Sequence, residues 1–359
     1  MLNRRLCLLT IVLTYYADRG SLKKCTSLKD IVALAKDDTG TDFNVTLQGC
    51  VERIAFDGKT LTQVYIREQT IPILEADSVR NMVKLDTVSF WGCKMDEVKP
   101  AAFRNVPRLK NVQFAYGNVK EIPRGLFDKI PELQHLNIQN NRIDVVEDQS
   151  FANLASLKRI HASNNQLDHW NREWFTNTTA LEIMDFQNNR IRMLPRKAFA
   201  SLRKLKQIYF DFNEISVIQE QAFRGITSLV YLGLRHNRLT SIPENIFPNE
   251  LRVRSFLIDA NHLNFLPNEV LKKLSVKDIT IDNNPWKCPC LDRINYWLHT
   301  ANATLRVARS CTGPQIPVCA YPSAFSQTCL EYVDAELTSF YIAALKKIKT
   351  LDPSCAKLD

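Results

Sequence analysis

Leucine, or an apolar stand-in, returns every 24 residues through most of this 359-residue chain. Frames open at Leu61, Leu85, Leu109, Leu133, Leu157, Leu181, Leu205 and Leu229; a ninth opens at Val253 and a tenth, after 23 residues, at Val276. One such unit cannot bury its own apolar face, so a fixed period of this length implies units stacked side by side around a shared core. The segments "LQHLNIQNNRI" (133–143), "LEIMDFQNNRI" (181–191) and "LVYLGLRHNRL" (229–239) overlay as LxxLxLxxNxL. Positions one, four, six and eleven are predicted to turn inward around a short strand.

Two further columns carry their own physical reasons. Asparagine holds position nine as Asn141, Asn165, Asn189, Asn213, Asn237, Asn261 and Asn284. Its amide both donates and accepts, so it can satisfy backbone groups where each coil turns. Phenylalanine holds position nineteen from Phe103 through Phe127, Phe151, Phe175, Phe199 and Phe223 to Phe247. At this spacing the aromatics read as a packed spine beneath the outer face and not as a cofactor box. Proline after Ile122, Leu194, Ile242 and Leu266 keeps the outer segments extended or turned.

The pattern is identified as that of a leucine-rich repeat, which implies an α/β solenoid: a horseshoe of about ten repeats with a parallel concave sheet and disulfide-bonded caps. Asn284-Pro285-Trp286, Cys288, Cys290, "LDRINYWL" with Trp297, Cys311 and Cys329 resemble the cysteine-rich C-terminal cap of extracellular members. That resemblance implies Cys288–Cys311 and Cys290–Cys329 disulfides, with Trp286 sealing the core. Cys25 and Cys50 are read as closing a smaller N-terminal cap. Cys93, at position nine, where the repeat accepts cysteine for asparagine, is expected to be a buried, unreactive thiol.

Cys319 and Cys355 then remain. Beyond the cap, Val333, Leu337, Phe340, Tyr341, Ala344, Leu345 and Ile348 recur at helical intervals. Two readings of this tail stand: a helix docked on the cap and tethered by a Cys319–Cys355 bridge, or a helix that forms a homo- or heterodimer with Cys355 linking two chains.

At the N-terminus, Arg4 and Arg5 precede an apolar run from Leu6 to Tyr16, suited to a secretory signal and short for a membrane span. The expected organisation is a signal over residues 1–20, an N-terminal cap over 21–60, repeats over 61–275, a last partial repeat with the C-terminal cap over 276–330, and a helical tail over 331–359. The protein is expected to be secreted, with sequons at Asn44, Asn177 and Asn302 as glycosylation sites. The formal charge of +9 is spread without a dense basic run, and no nucleic-acid motif is legible.

Partners are expected on the concave face, where such solenoids usually bind. Its middle is polar. One aromatic place holds Trp91 and Tyr116; a denser one holds Tyr209, Asp211, Phe212, Tyr231, Arg235 and His236. Exposed Tyr, Trp and Arg dominate binding hot spots, so the second cluster is the preferred contact site. His161 and Asp185, with Ser163 and His135 nearby, resemble a hydrolytic or zinc constellation only superficially, since no oxyanion-forming glycine turn accompanies them. No enzyme, metal or cofactor is read from the sequence.

The set of features is similar to insect leucine-rich immune proteins of the mosquito type, although their long coiled coil has no counterpart here. That resemblance implies a secreted innate-immune recognition factor for another protein or a microbial surface. An extracellular matrix, adhesion or developmental ligand would share the same repeats and caps.

Overall fold

The computed structural model describes residues 26–307, 318–321 and 326–348. A single 13-stranded sheet runs through the described residues. It opens with an antiparallel hairpin, β1 (Leu28–Asp37) and β2 (Asp42–Gly49), and β1 pairs antiparallel with β3 (Leu61–Arg67). From there every neighbour is parallel: β4 (Thr87–Trp91), β5 (Asn111–Ala115), β6 (His135–Asn137), β7 (Arg159–His161), β8 (Ile183–Asp185), β9 (Gln207–Tyr209), β10 (Ser228–Gly233), β11 (Leu251–Leu257), β12 (Leu274–Thr280) and β13 (Thr304–Leu305). Equivalent residues of successive frames pair in register, for example Leu136 with Ile160 and Ile160 with Met184. The 24-residue period is therefore one coil per strand.

The inward positions form one continuous core. Leu133, Leu136, Ile138 and Ile143 of a single coil are each at most 1% exposed. The asparagine column does the backbone work its chemistry suggests. Asn165 Nδ2 donates to the carbonyls of Ile138, Ala162 and Ser163, and its Oδ1 accepts from Ile143 N–H in the preceding coil. Losing such an amide would strand several buried groups, at about 1–3 kcal/mol each. On the outer side the phenylalanines pack ring against ring, Phe151 stacked on Phe175 at 5.3 Å and Phe199 tilted against Phe223 at 5.2 Å. Trp170, at 5.2 Å from both Phe186 and Phe210, fills the space inside that spine.

The convex wall is made of turns, single 3-10 turns and two-residue parallel pairs such as Glu121–Ile122 with Val145–Val146, just before Pro123. Its α-helix, α1 (Asn268–Lys273), comes at the end of the array, directly after Pro267.

The C-terminal end is closed by α2 (Cys288–Thr300), whose Leu291, Ile294 and Leu298 face the last coil. Trp286 is 1% exposed and donates Nε1–H to Ile281 O at 2.8 Å. Cys290 is bonded to Cys329. Cys288, however, is bonded to Cys319, not to Cys311. The reason is local: Lys287 and Ala320 form a β-bridge in which Cys288 N–H donates to Ala320 O and Ala320 N–H donates to Trp286 O. That ladder sets the two Cα atoms 5.0 Å apart, inside the range a disulfide spans.

The same bond overturns a Cys319–Cys355 tether; Cys311 and Cys355 lie outside the described residues, as does Cys25. Cys50 is disulfide-bonded, and Cys93 is a free, buried thiol whose pKa burial pushes up.

The tail forms α3 (Ala335–Lys346), N-capped by Asp334, which accepts from Leu337 N–H. Leu337, Tyr341 and Leu345, spaced four apart, are buried, whereas Phe340 lies off that stripe and is 72% exposed. Asn264 clamps the helix start: its Oδ1 accepts from Asp334 N–H at 2.6 Å and its Nδ2 donates to Thr338 Oγ1 at 3.0 Å. Tyr341 O–H reaches Asn283 Oδ1 at 3.4 Å. The tail thus lies against the edge of the last two coils.

Candidate functional site on the concave face

The face opposite the core is built by positions three, five and seven of each coil, because alternate strand residues point to opposite sides. In coils seven and eight these positions bring Tyr209 and Tyr231 together, with rings 4.3 Å apart and 26° from parallel. Tyr209 O–H donates to Gln207 Oε1 at 2.9 Å, and Tyr231 O–H to Asp211 Oδ2 at 3.2 Å. One position further along, Phe212 and His236 stack at 4.3 Å and 13°, and the Arg235 guanidinium lies 5.7 Å from the Phe212 ring centre. Phe212 and His236 both adopt left-handed backbone, φ 56° and 51°, which turns their rings out of the strand line. All five side chains are half-buried, so each presents one side to solvent.

Asp211 departs from the expectation of an exposed contact residue. It is 2% exposed, accepts from Arg235 N–H at 3.1 Å as well as from Tyr231, and its pKa is raised to about 7, chiefly by burial. It organises the site from beneath: it fixes the Tyr231 ring and the Arg235 backbone. Arg235 Nε then lies 3.4 Å from Asp259 Oδ2, and Asp259 is fully buried and hydrogen-bonded to Thr280 Oγ1. Burial also pushes the Asp259 carboxyl upward, and it raises the Tyr231 hydroxyl well above the ordinary phenol range.

Trp91 and Tyr116 also meet, at 4.3 Å and 39°, with Tyr116 47% exposed. Trp91 stands five strands and Tyr116 four strands from Tyr209 in the sheet order, roughly 19–24 Å at the usual strand spacing, so the two aromatic places are separate patches. The polar stretch between them holds His161, whose Nδ1 is 3.6 Å from Asp185 Oδ2. Ser163 does not face His161; it is 2% exposed and turned toward Gln139 Oε1 in the preceding coil at 3.5 Å. His135 Nδ1 contacts Asn111 Oδ1 at 2.8 Å. These four residues form no nucleophile–base pair. The sequons place Asn44 on β2, Asn177 on the convex side and Asn302 just after α2, all exposed and none within the concave cluster.

The residues that sequence reading passed over are Gly233, Asp259 and Thr280, which carry and make room for the buried acids. Their signal was present in the columns: each occupies position five or seven of its coil.

A parallel, capped solenoid of this geometry defines a repeat scaffold with one open sheet face. The sequence matches the family described as Leucine rich repeat over residues 131–191 and 179–239. The chain is a leucine-rich repeat protein with a cysteine-rich C-terminal cap. No curated protein matches it significantly.

Among solved structures it is similar to the TLR13–ssRNA13 complex, with 18% identity and a TM-score of 0.57 over 65% of this chain and 35% of that one. It is similar to the mouse RP105/MD-1 complex, with 22% identity and a TM-score of 0.55 over 65% of this chain and 40% of that one. It is also similar to FLRT2 (LRR), solved in an octameric complex with Latrophilin 3 and Unc5D, with 22% identity and a TM-score of 0.51 over 77% of this chain and 90% of that one. The chain thus spans well under half of the first two. At these identities the likeness establishes the fold alone. No helix among the described residues is long and apolar enough to cross a membrane.

Proposed function

We propose that the chain is an extracellular recognition factor, of the kind used in innate defence, that grips another protein or a microbial surface through its concave face. The observation that carries this reading is the Tyr209–Tyr231 stack flanked by Arg235 and the Phe212–His236 stack on an open wall. Tyr and Arg are the side chains that most often dominate protein–protein hot spots, and here hydrogen bonds from below pre-set them. Two disulfides pinning the cap fit an oxidising compartment.

The test is capture. The full chain, expressed through a secretory route, is incubated with body fluid or microbial surfaces, and bound partners are recovered beside a Tyr209→Ala/Phe212→Ala/Tyr231→Ala variant. Capture that falls at least tenfold in a variant that still melts cooperatively supports the reading; unchanged capture rejects it. Appearance of the protein in circulating fluid after infection, and not in matrix, supports the defence assignment over an adhesion role.

A further inference from the structure

On its N-terminal side the sheet ends in β2, and among the described residues no strand pairs with the outer edge of β2. Such an edge offers a row of unpaired N–H and C=O groups to any other strand, and proteins blunt it by shortness, a central charge, proline or a bulge. β2 has none of these. It is eight residues long, DFNVTLQG, its one charge is Asp42 at the first position, and its register with β1 is unbroken from Asp42 to Leu47. The bulge of this hairpin lies in β1, between Leu28 and Ile31, and Lys59 sits over the Phe43 ring at 3.9 Å on the core side. The other end of the sheet differs: β13 is two residues long and runs into Arg306.

At the middle of the unblunted edge stands an acceptor sequon, Asn44-Val45-Thr46. Phe43, Val45 and Leu47 turn toward the core, whereas Asn44 and Thr46 are exposed on the opposite, concave side. Leu34 pairs with both Asn44 and Tyr65, and Val32 pairs with Thr46. Asn44 therefore rises beside two aliphatic side chains, Leu34 and Val32, that are 36% and 49% exposed. If β2 paired with β2 of a second copy about a two-fold axis at Val45, Asn44 of one copy would lie opposite Thr46 of the other, on strands about 4.8 Å apart. Branched oligosaccharides on both Asn44 side chains do not fit within that spacing.

We propose that an N-linked oligosaccharide on Asn44 covers Leu34 and Val32 and keeps the edge of β2 from pairing with β2 of a second copy. The transfer joins Asn44 Nδ2 to the anomeric carbon of the sugar and breaks that carbon's bond to the pyrophosphate of a lipid-linked donor. The lipid pyrophosphate leaves, and the amide proton passes to solvent. The sequence marks Asn44 only as an acceptor; its place at the centre of an open edge gives the glycan a task. This inference rests on the extracellular part of the reading above and not on the Tyr209–Tyr231 cluster.

The experiment expresses the full chain through a secretory route, in a Cys355→Ser background so that no disulfide from the tail can link chains. Mass spectrometry of glycopeptides reads the occupancy of Asn44, and size exclusion with light scattering reads molar mass at equal protein concentration. Thr46→Ala and Thr46→Lys both destroy the sequon, but only the second puts a charge on the edge in place of the sugar. The expected result is a glycosylated, monomeric parent, a Thr46→Ala variant whose molar mass doubles as concentration rises, and a Thr46→Lys variant that stays monomeric. Asn177→Gln and Asn302→Gln, which remove the sequons on the convex side and beside the short β13, should leave the mass of the assembly unchanged. An unmodified Asn44 in the secreted parent, a monomeric Thr46→Ala, a dimeric Thr46→Lys, or equal dimerisation on loss of the other two sequons overturns the inference. Each of those outcomes leaves capture through Tyr209, Phe212 and Tyr231 to be judged by its own test.

Discussion

The carboxylate of Asp211 occupies the space that a side chain on Gly233 would fill: a Cβ placed on Gly233 would lie 2.2 Å from Asp211 Oδ2 and 2.6 Å from Cγ. Glycine is present at this position for clearance, and the acid it admits fixes Tyr231 and Arg235. Replacing Gly233 with alanine is therefore expected to expel Asp211 and break both of its hydrogen bonds. The expected loss is about 2–3 kcal/mol of stability, read as a lower urea midpoint at unchanged slope. Partner capture should fall with it. A stable variant with normal capture would mean that Asp211 does not order the site.

Asp211 also gives the molecule a defined pH response. Its folded pKa, raised to about 7 by burial, lies well above the ordinary aspartate value of 3.8. Between those values the folded chain holds a proton that the unfolded chain has released, so this group's contribution to stability falls as pH rises from about 4 to about 7 and is level beyond. The neighbours that face it are Tyr231, Arg235 and Asp259, and none is removed by Asp211→Asn. The variant should gain on the wild type through that window and hold its advantage above it, an effect on the order of a few kcal/mol. Parallel urea titrations from pH 4.5 to 9 measure the difference directly; a constant gap across the range would show that Asp211 is ionised throughout.

How much of this was legible follows from what repeats and what does not. The asparagine column, the phenylalanine spine and the strand register were readable because each residue makes the same contacts one coil later, as Asn165 and Asn189 do with the coil before each. The burial of Asp211 was not, because it depends on a glycine in the next coil that breaks the column. The Cys288 partner was not, because it is set by a bridge between Lys287 and Ala320 in a segment with no period. Phe340 shared the helical spacing of the tail, yet only the stripe Leu337, Tyr341 and Leu345 meets the array.

Lys287 holds the tail to the cap. It is 1% exposed, and its Nζ donates to Leu330 O at 3.2 Å and Tyr332 O at 2.7 Å while lying 3.1 Å from the Tyr332 ring centre. Charge-assisted bonds of this kind contribute about 1.5–3 kcal/mol each. Lys287→Met keeps the stem and removes the ammonium. Amide exchange of residues 335–346 should then accelerate at least tenfold while the asparagine-column amides stay protected. Equal protection of α3 in both proteins would place its anchorage in the Asn264 clamp and the buried Leu337, Tyr341 and Leu345 stripe.

The cap disulfides give the sharpest chemical check. With Cys288 bonded to Cys319, the variant Cys319→Ser should expose one new thiol, at Cys288, and leave Cys290–Cys329 closed. Alkylation under non-reducing conditions, followed by tryptic cleavage after Arg293 and Arg309 to part Cys288 from Cys311, locates the label. The loop closed by the lost bond has a sequence separation of 31 residues, so a loss of about 4 kcal/mol is expected from chain entropy. Label on Cys311 in place of Cys288 would mean that Cys319 pairs there, and that the Lys287–Ala320 ladder does not set the cap. Electrophoresis of the same proteins with and without reductant tests a chain-to-chain link through Cys355: with Cys319 committed to Cys288, a covalent dimer that survives in Cys319→Ser and disappears in Cys355→Ser is the expected signature of that link.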